Sequence, residues 1–487
     1  MKKIFTLCFL CTIVFSLSSQ TIKTLYPTVE KSLWAHTYNL YPLSKGSVVD
    51  DENKYVFRDC FNENILYTIT PNGKVSASSG MKLSDDYKLR GCFQSENEIS
   101  AIYSNYSKGV YKFYINTNDK KKLSWHPEEI MTIVSENNEE TYTKVVISSN
   151  NLYFCIASLA FDKKDKFKYI LVTVFDASGQ QVWENNLSPE FTNKTFSLDD
   201  VEITNEGTVY LCVTAYSGAK KKTFDEKVYV YEVKETDYHQ NESTQDIGYI
   251  ANAKLKILKN GNVFVGGYYS EKMDETFKGS FSLIYNPKEQ SISSFSHMDF
   301  PSTFSSKDVE SLAFDQIIEL SNGRIVTLGE QLSTVIFYDQ KGGRTYNYFA
   351  KNIVYTAFSS NGEVENYKLI KKNQFSGSYI YFADFHRLSM SFYAFEKDGA
   401  LCLLFNDHIG NYNSTKKTIS MINPQRNKAK LMLSLIKIDG DDLSSHIVFN
   451  GKTTKKNLQN LLFAEDNTLI FSSIGKTVAF DQISINY

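Results

Sequence analysis

Five side chains of types that do chemistry stand close together in the second half of the chain: Asp384, His386 and Arg387 in one run, Asp407 and His408 in another. A carboxylate beside an imidazole can hold a metal ion, or exchange a proton near neutral pH. Metal ligation asks for more than proximity, and neither run has the His-x-His or His-x3-His spacing that sets two ligands together. Solvated polar turns are the plainer reading, so the five are kept as binding candidates with no catalytic role and no metal assigned. Asp439-Gly440-Asp441-Asp442 resembles the start of a calcium loop. It lacks the later bidentate glutamate, and Asp and Gly are ordinary turn residues. The lysine clusters at 120–122, 163–168 and 220–222 read as solvated loops, since acidic residues balance them overall.

These candidates must be carried by strands. A turn residue, Asn or Gly, followed by a β-branched or aromatic run recurs at Asn53, Asn97, Asn151, Gly207, Gly261, Gly323, Gly377 and Asn467, mostly roughly 54 residues apart. A second strand follows each, as at 169–175, 281–285, 334–338 and 391–395. Several of these end in a compact glycine turn, such as those at Gly179, Gly342 and Gly399, where a tight hairpin needs positive φ. One more strand precedes the turn strand, as at 253–258. The wide gap after Gly377 hides one degenerate unit, whose strand is 430–439. The run 353–358 has no place in the scheme.

Four strands per unit at this period predict an all-β fold: one β-propeller of about eight four-stranded blades, with seven or nine as the neighbouring counts. The competing arrangement, two stacked β-sandwiches, explains regular repetition less well. Closure gives a further expectation. The last unit supplies three strands, and the stretch 33–40 around Trp34 matches the fourth-strand pattern at Trp183, so an N-terminal strand is expected to complete the last blade and remove two exposed sheet edges. Trp34, Trp125 and Trp183 are all expected on fourth strands, packing blade against blade.

With strands lettered A to D, the A–B and C–D turns are short and lie on one side of the disc. The B–C and D–A connections, such as 270–279 and 298–311, are long and polar and lie on the other side. Long loops cost little extra closure entropy and usually carry binding residues. Asp384, His386 and Arg387 are expected at a B–C connection and Asp407 and His408 at the next D–A connection, so all five fall on the long-loop face.

Residues 1–19 read as a secretory signal peptide: Lys2 and Lys3, an apolar run 4–15 too short to span a bilayer, then small residues before Gln20. Residues 20–487 form the propeller domain. No later stretch has the roughly 20 apolar residues of a membrane-spanning helix. The net charge of -2 gives no reason to expect nucleic acid as partner. The five cysteines beyond the leader sit mostly in apolar strand contexts and read as buried thiols, although Cys60 and Cys92 on neighbouring repeats could pair if geometry allows.

Val174-Phe175-Asp176-Ala177-Ser178-Gly179 and Asn260-Gly261-Asn262-Val263 carry the blade grammar. By it the chain resembles, at superfamily level, exported β-propeller repeat proteins of the WD40-like or quinoprotein-like kind. The resemblance carries no functional residue with it. Gly266-Gly267-Tyr268 follows a strand in the manner of a kelch blade, without the kelch tryptophan. The Ser-x-Asp-x-Gly-x-x-Trp box of sialidase propellers and the Gly-x-Ser-x-Gly elbow are missing, and three tryptophans are too few for the docking of eight-bladed quinoprotein dehydrogenases. The reading is a non-catalytic binding or scaffold propeller, periplasmic, secreted or on the cell surface, with a protein or glycan partner on the long-loop face and no cofactor. The alternative is a carbohydrate-active or other hydrolytic propeller, which needs carboxylates, or Asp384 and His386 with a neighbour, converging in a central pocket.

Overall fold

The structure, a computed structural model, describes residues 22–484 apart from 27–37, 44–52, 61–62, 73, 78–80, 84–85, 96, 136–141, 162–166, 189–193, 218–224, 244–246, 273–275, 341, 380, 382–388, 413, 415–417, 427, 455–456, 466–467 and 475–477. Within them the strands form eight antiparallel sheets that follow one another along the chain. Blades 1 to 7 span residues 38–77, 88–134, 143–187, 194–242, 249–299, 312–370 and 393–450. Blade 8 takes Leu458–Glu465, Thr468–Ile474 and Val478–Ser484 from the C-terminal end and Ile22–Tyr26 from the N-terminal end. The chain is an eight-bladed β-propeller. No helix of the described residues is long and apolar enough to cross a membrane.

One turn explains why the repeat is so visible. In blade 4, Thr204 N–H bonds Thr208 O at 2.8 Å and Gly207 N–H bonds Thr204 O at 3.2 Å, with Gly207 at φ +86°. The same pair of bonds recurs at Leu258 with Gly261 and at Leu320 with Gly323, and Asn151 takes the left-handed position in blade 3 at φ 61°. Asn is the non-glycine residue best suited to that conformation.

The core is divided into slabs, one between consecutive blades. Trp183, Leu198, Val213 and Tyr231 belong to the slab between blades 3 and 4; Cys212, Leu255, Val265 and Leu283 belong to that between 4 and 5. Middle strands are therefore covered on both faces: all of Val263–Ser270 in strand B of blade 5 is buried, and the alternation of a one-faced sheet is lost there. Cys155, Cys212 and Cys402 are buried thiols of this kind. Burial pushes the Cys155 and Cys212 thiols up, away from reactivity. The Cys60 side chain lies outside the described residues, and with it any pairing to Cys92.

Tyr268 shows how closely the slabs fit. It is fully buried between Phe277, Phe300 and Phe314, its hydroxyl has no hydrogen-bond partner among the described residues, and a Cβ on Gly329 of blade 6 would overlap that hydroxyl. Gly329→Ala is expected to cost about 1–3 kcal/mol by overpacking. Tyr268→Phe, which deletes an orphaned polar group, should leave stability equal or raised. Urea titration of both variants checks the pair.

Several expectations are corrected. The closing strand is Ile22–Tyr26, paired with Val478–Ser484 through Ile22↔Ile483 and Tyr26↔Phe480. It is not 33–40: Tyr38–Leu43 is strand A of blade 1, and Trp34 lies outside the described residues. Trp183 is on a D strand, but Trp125 sits in a C–D connection, edge-on to Tyr87 and Tyr103. Residues 334–338 are the outer half of strand B of blade 6 (Ile325–Tyr338), and 353–358 complete its strand C (Arg344–Phe358). Gly377 belongs to an added strand, Gln374–Ser378, on the edge of strand C, and the 391–395 region leads into strand A of blade 7 (Tyr393–Lys397). The supposed hidden unit is the rest of blade 7, with Leu431–Asp439 as its strand C. Asp439 to Asp442 form its C–D turn, and Asp441 accepts from Asn366 Nδ2 of blade 6 at 3.0 Å.

Candidate functional site

The A strands of neighbouring blades touch around the axis, so each sheet turns an unpaired inner edge to the channel. Unpaired N–H groups there need acceptors. Carboxylates on adjoining blades supply them: Leu255 N–H donates to Asp200 at 3.1 Å, Ile257 N–H to Glu202 at 2.7 Å, Lys259 N–H to Glu319 at 2.7 Å and Ser321 N–H to Glu396 at 2.6 Å. Lysines answer the same carboxylates, Lys144 to Asp200 at 3.0 Å and Lys256 to Glu202 at 3.4 Å. These acids hold the ring together.

A cavity of about 1010 Å³ opens on the short-loop side among blades 3 to 5, lined by Asp200, Glu202, Tyr210, Glu232, Lys234 and Lys256. Its deepest acid, Glu232, accepts from Tyr285 Oη at 2.6 Å and from Lys234 Nζ at 2.7 Å. Burial pushes Glu202 up against the pull of Lys256. Each of these acids is already held by a partner within the fold. Among the described residues no group of three or more His, Cys, Asp or Glu side chains could hold a metal ion.

The sequence candidates separate. Asp384, His386 and Arg387 lie outside the described residues. They fall between Gln374–Ser378 and Tyr393–Lys397, on a D–A connection, whereas Asp407 and His408 end strand B of blade 7 (Ala400–His408). Asp407 and His408 thus stand where a B–C connection begins, on the long-loop side, and not at the D–A connection expected of them. Asp407 is buried, accepts from His408 N–H at 2.7 Å and Asn411 Nδ2 at 2.8 Å, and is pushed up to about 6 by burial against its hydrogen bonds and the Lys372 charge. His408 is half-buried, its Nδ1 accepts from Gly410 N–H at 3.0 Å, and burial and Lys430 hold its pKa down. Neighbours on a strand point to opposite faces, so these two side chains leave the strand in different directions.

Beneath them is a network that no spacing announced. Lys372 is buried against Glu330, and its Nζ also donates to Gln374 Oε1 at 2.9 Å. Ser391 Oγ donates to Glu330, Ser391 N–H to Gln374 at 2.7 Å, and Gln374 Nε2 to Asn406 O at 2.7 Å. Asn406 reaches blade 8, donating to Leu458 O at 2.7 Å and accepting its N–H at 3.0 Å. Burial pushes Glu330 up and Lys372 down, each opposed by the other's charge. This network ties blades 6, 7 and 8 and fixes the base of the strand Gln374–Ser378.

That strand supports the most distinctive surface of the molecule. Strands B and C of blade 6 run on past the body of the sheet as a hairpin, pairing Leu332↔Ala350 through Tyr338↔Arg344, and Gln374–Ser378 joins as a third strand. The outer end of strand B meets solvent on both faces, with Val335 43%, Ile336 42%, Phe337 58% and Tyr338 65% exposed, while Tyr348 and Ala350 of strand C pack against Met390. Tyr379, Tyr381, Tyr412 and Met421 are exposed on the same side of blades 6 and 7. These make eight of the thirteen exposed large hydrophobic side chains among the described residues, a concentration unlike the single exposures elsewhere. A sequence signal existed: the uncharged run 332–338, in a unit whose B and C strands outgrow the others.

No protein-family model matches the chain, and no curated protein matches it. Among solved structures it is similar to the Dos1 propeller, with 8% identity and a TM-score of 0.43 over 92% of this chain and 96% of that one. It is similar to the β-propeller domain of the Trilobed protease from Pyrococcus furiosus, with 11% identity and a TM-score of 0.37 over 85% and 96%. A third, prolyl oligopeptidase B from Galerina marginata, has 10% identity and a TM-score of 0.36 over 76% of this chain and 55% of that one, so the chain spans about half its length. The propeller assignment stands on the eight sheets themselves, and neither activity nor partner follows from these likenesses.

Proposed function

We propose that the chain is an exported, non-catalytic binding or scaffold propeller that holds a protein partner on its long-loop face, at the blade 6 hairpin. The clustering of exposed apolar side chains on and around that hairpin carries the reading. An apolar patch held out by paired strands, on the face with the long loops, marks an interaction surface. A protein fits it better than a glycan, because the exposed side chains are aliphatic and aromatic along a strand. Export rests on the layout of residues 1–19.

The test places a photo-crosslinking amino acid at position 337, and as a control at position 443 in the C–D turn region of blade 7 on the opposite face. Crosslinking to a protein at 337, little at 443, and loss of the product in a Val335→Ser, Tyr338→Ser background is the expected result. Equal crosslinking at both positions, or none at 337, overturns it. Sequencing the N-terminus of the secreted chain should begin at about Gln20; recovery of uncleaved chain in the cytoplasm overturns the export half.

A further inference from the structure

In the body of blade 6, strand B lies between strand A (Leu312–Glu319) and strand C, and strand C lies between B and D (Val364–Ile370). In the extension the lanes are filled differently. Gln374–Ser378 takes the D lane against 346–350, but strand A begins at Leu312 opposite Gln331, and the chain before it turns away into the short helix Ser306–Val309. The extension has three strands where each blade has four, and the A lane beside 333–338 is vacant among the described residues.

Two hydrogen bonds fix which groups face that lane. Asp339 N–H donates to Gly343 O at 2.9 Å, into the hairpin, and Leu332 N–H donates to Ser311 O at 3.1 Å, on the strand A side. Alternate residues of an antiparallel strand turn their backbone groups to opposite sides. Thr334, Ile336 and Tyr338 therefore direct N–H and C=O into the vacant lane. The far edge of the extension is covered at its base, since Phe375 N–H donates to Ile422 O at 2.9 Å and Ile422 N–H to Asn373 O at 3.0 Å.

Proteins normally guard such an edge with charge, proline or a bulge. Here the channel edges are guarded by Asp200, Glu202, Glu319 and Glu396, whereas the segment at 332–338 is LSTVIFY, uncharged and rich in β-branched and aromatic residues. We propose that the vacant lane takes an extended peptide segment of the bound protein as a fourth strand; this rests on the protein-binding reading above. Backbone pairing with Thr334, Ile336 and Tyr338 supplies affinity. Ile336 and Tyr338 on one face, and Val335 and Phe337 on the other, select a segment of about six uncharged residues with β-branched or aromatic side chains on both faces. A second copy of the chain fits less well. A stable dimer needs about 800 Å² and some 20–30 residues from each partner, and the open edge offers only the few residues of 333–338.

The experiment pans a phage-displayed library of random decapeptides on the full chain, and measures selected peptides against Ile336→Pro. Proline at 336 deletes an N–H that faces the lane and leaves the hairpin's own ladder bonds in place. Peptides enriched on the wild type should lose at least tenfold in affinity on Ile336→Pro, and N-methylation of the peptide at alternate residues should cause the same loss, whether or not the variant folds well. Enriched peptides that ignore both changes but are lost on Val335→Ser, Phe337→Ser bind by side chains alone; that outcome overturns strand addition and leaves the binding reading intact. No enrichment over a blank surface overturns both. A wild type that dimerises in sedimentation, with Ile336→Pro monomeric, makes the occupant a second copy and overturns the peptide assignment.

Discussion

Lys372→Met is expected to lower the stability of the propeller by about 3–5 kcal/mol at neutral pH, read as a lower urea midpoint with little change in slope. The lysine is buried against Glu330, and removing it leaves a buried carboxyl group with the Ser391 hydroxyl and no counter-charge. The loss should shrink as the pH falls, because Glu330, already pushed upward by burial, can then hold a proton. Pairing the change with Glu330→Leu should recover most of the loss, since apolar replacement of both partners of a buried ion pair is commonly neutral or stabilising. A single variant within about 1 kcal/mol of wild type would show that the contact behaves as a surface pair does. The network also anchors Gln374–Ser378, so peptide capture by the hairpin should weaken in the same variant.

Asp407→Asn is expected to act in the opposite direction. The buried carboxyl is raised from about 3.8 to about 6, as is that of Asp199, where burial outweighs hydrogen bonds from Thr214 and Ser197. Between those two values the folded chain keeps a proton that the unfolded chain has lost. The stabilising contribution of each group is complete below about 3.8 and is lost as the pH rises through 6. The displacement corresponds to about 3 kcal/mol for each group. Asp407→Asn, which retains an acceptor for His408 N–H and Asn411 Nδ2, should therefore exceed wild type at pH 7.5 and lose that advantage by pH 4. Urea titrations at both pH values measure the difference, and a gap that is flat or widens on acidification contradicts the assignment.

The architecture was legible because the short-loop face repeats one turn. Gly207, Gly261 and Gly323 share the same hydrogen bonds, and each opens a B strand. The same regularity misled where the turn appears elsewhere. Asp339, Gly342 and Gly343 form it at the tip of the blade 6 hairpin, Asp339 N–H to Gly343 O and Gly342 N–H to Asp339 O at 3.1 Å. Asp398 and Gly399 close the A–B hairpin of blade 7 with another tight turn. A turn records that two strands meet and says nothing about which end of the blade it occupies.

The surface was harder to read for a different reason. A strand covered on both faces and a strand exposed on both faces have the same composition, so 334–338 passed for an interior strand like Val263–Ser270. Lys371 and Lys372 are adjacent and identical, yet Lys372 is buried and only the arrival of Glu330 from a distant strand decides it. Asp407 and His408 also hold a local turn through His408 N–H, Asn411 Nδ2 and Gly410 N–H, which their residue types alone do not announce.

The pairing of Ile22–Tyr26 with Val478–Ser484 has a consequence for synthesis. Ribosomal emergence is ordered, and the latch needs both of its halves, so no intermediate length of nascent chain can be annular. Until strand 478–484 has left the ribosome, the arc of completed blades carries two open ends able to recruit a neighbouring chain in place of its own. Fidelity of assembly then depends on effective concentration: once both halves exist, the tether of one polypeptide favours self-capture over exchange with another molecule.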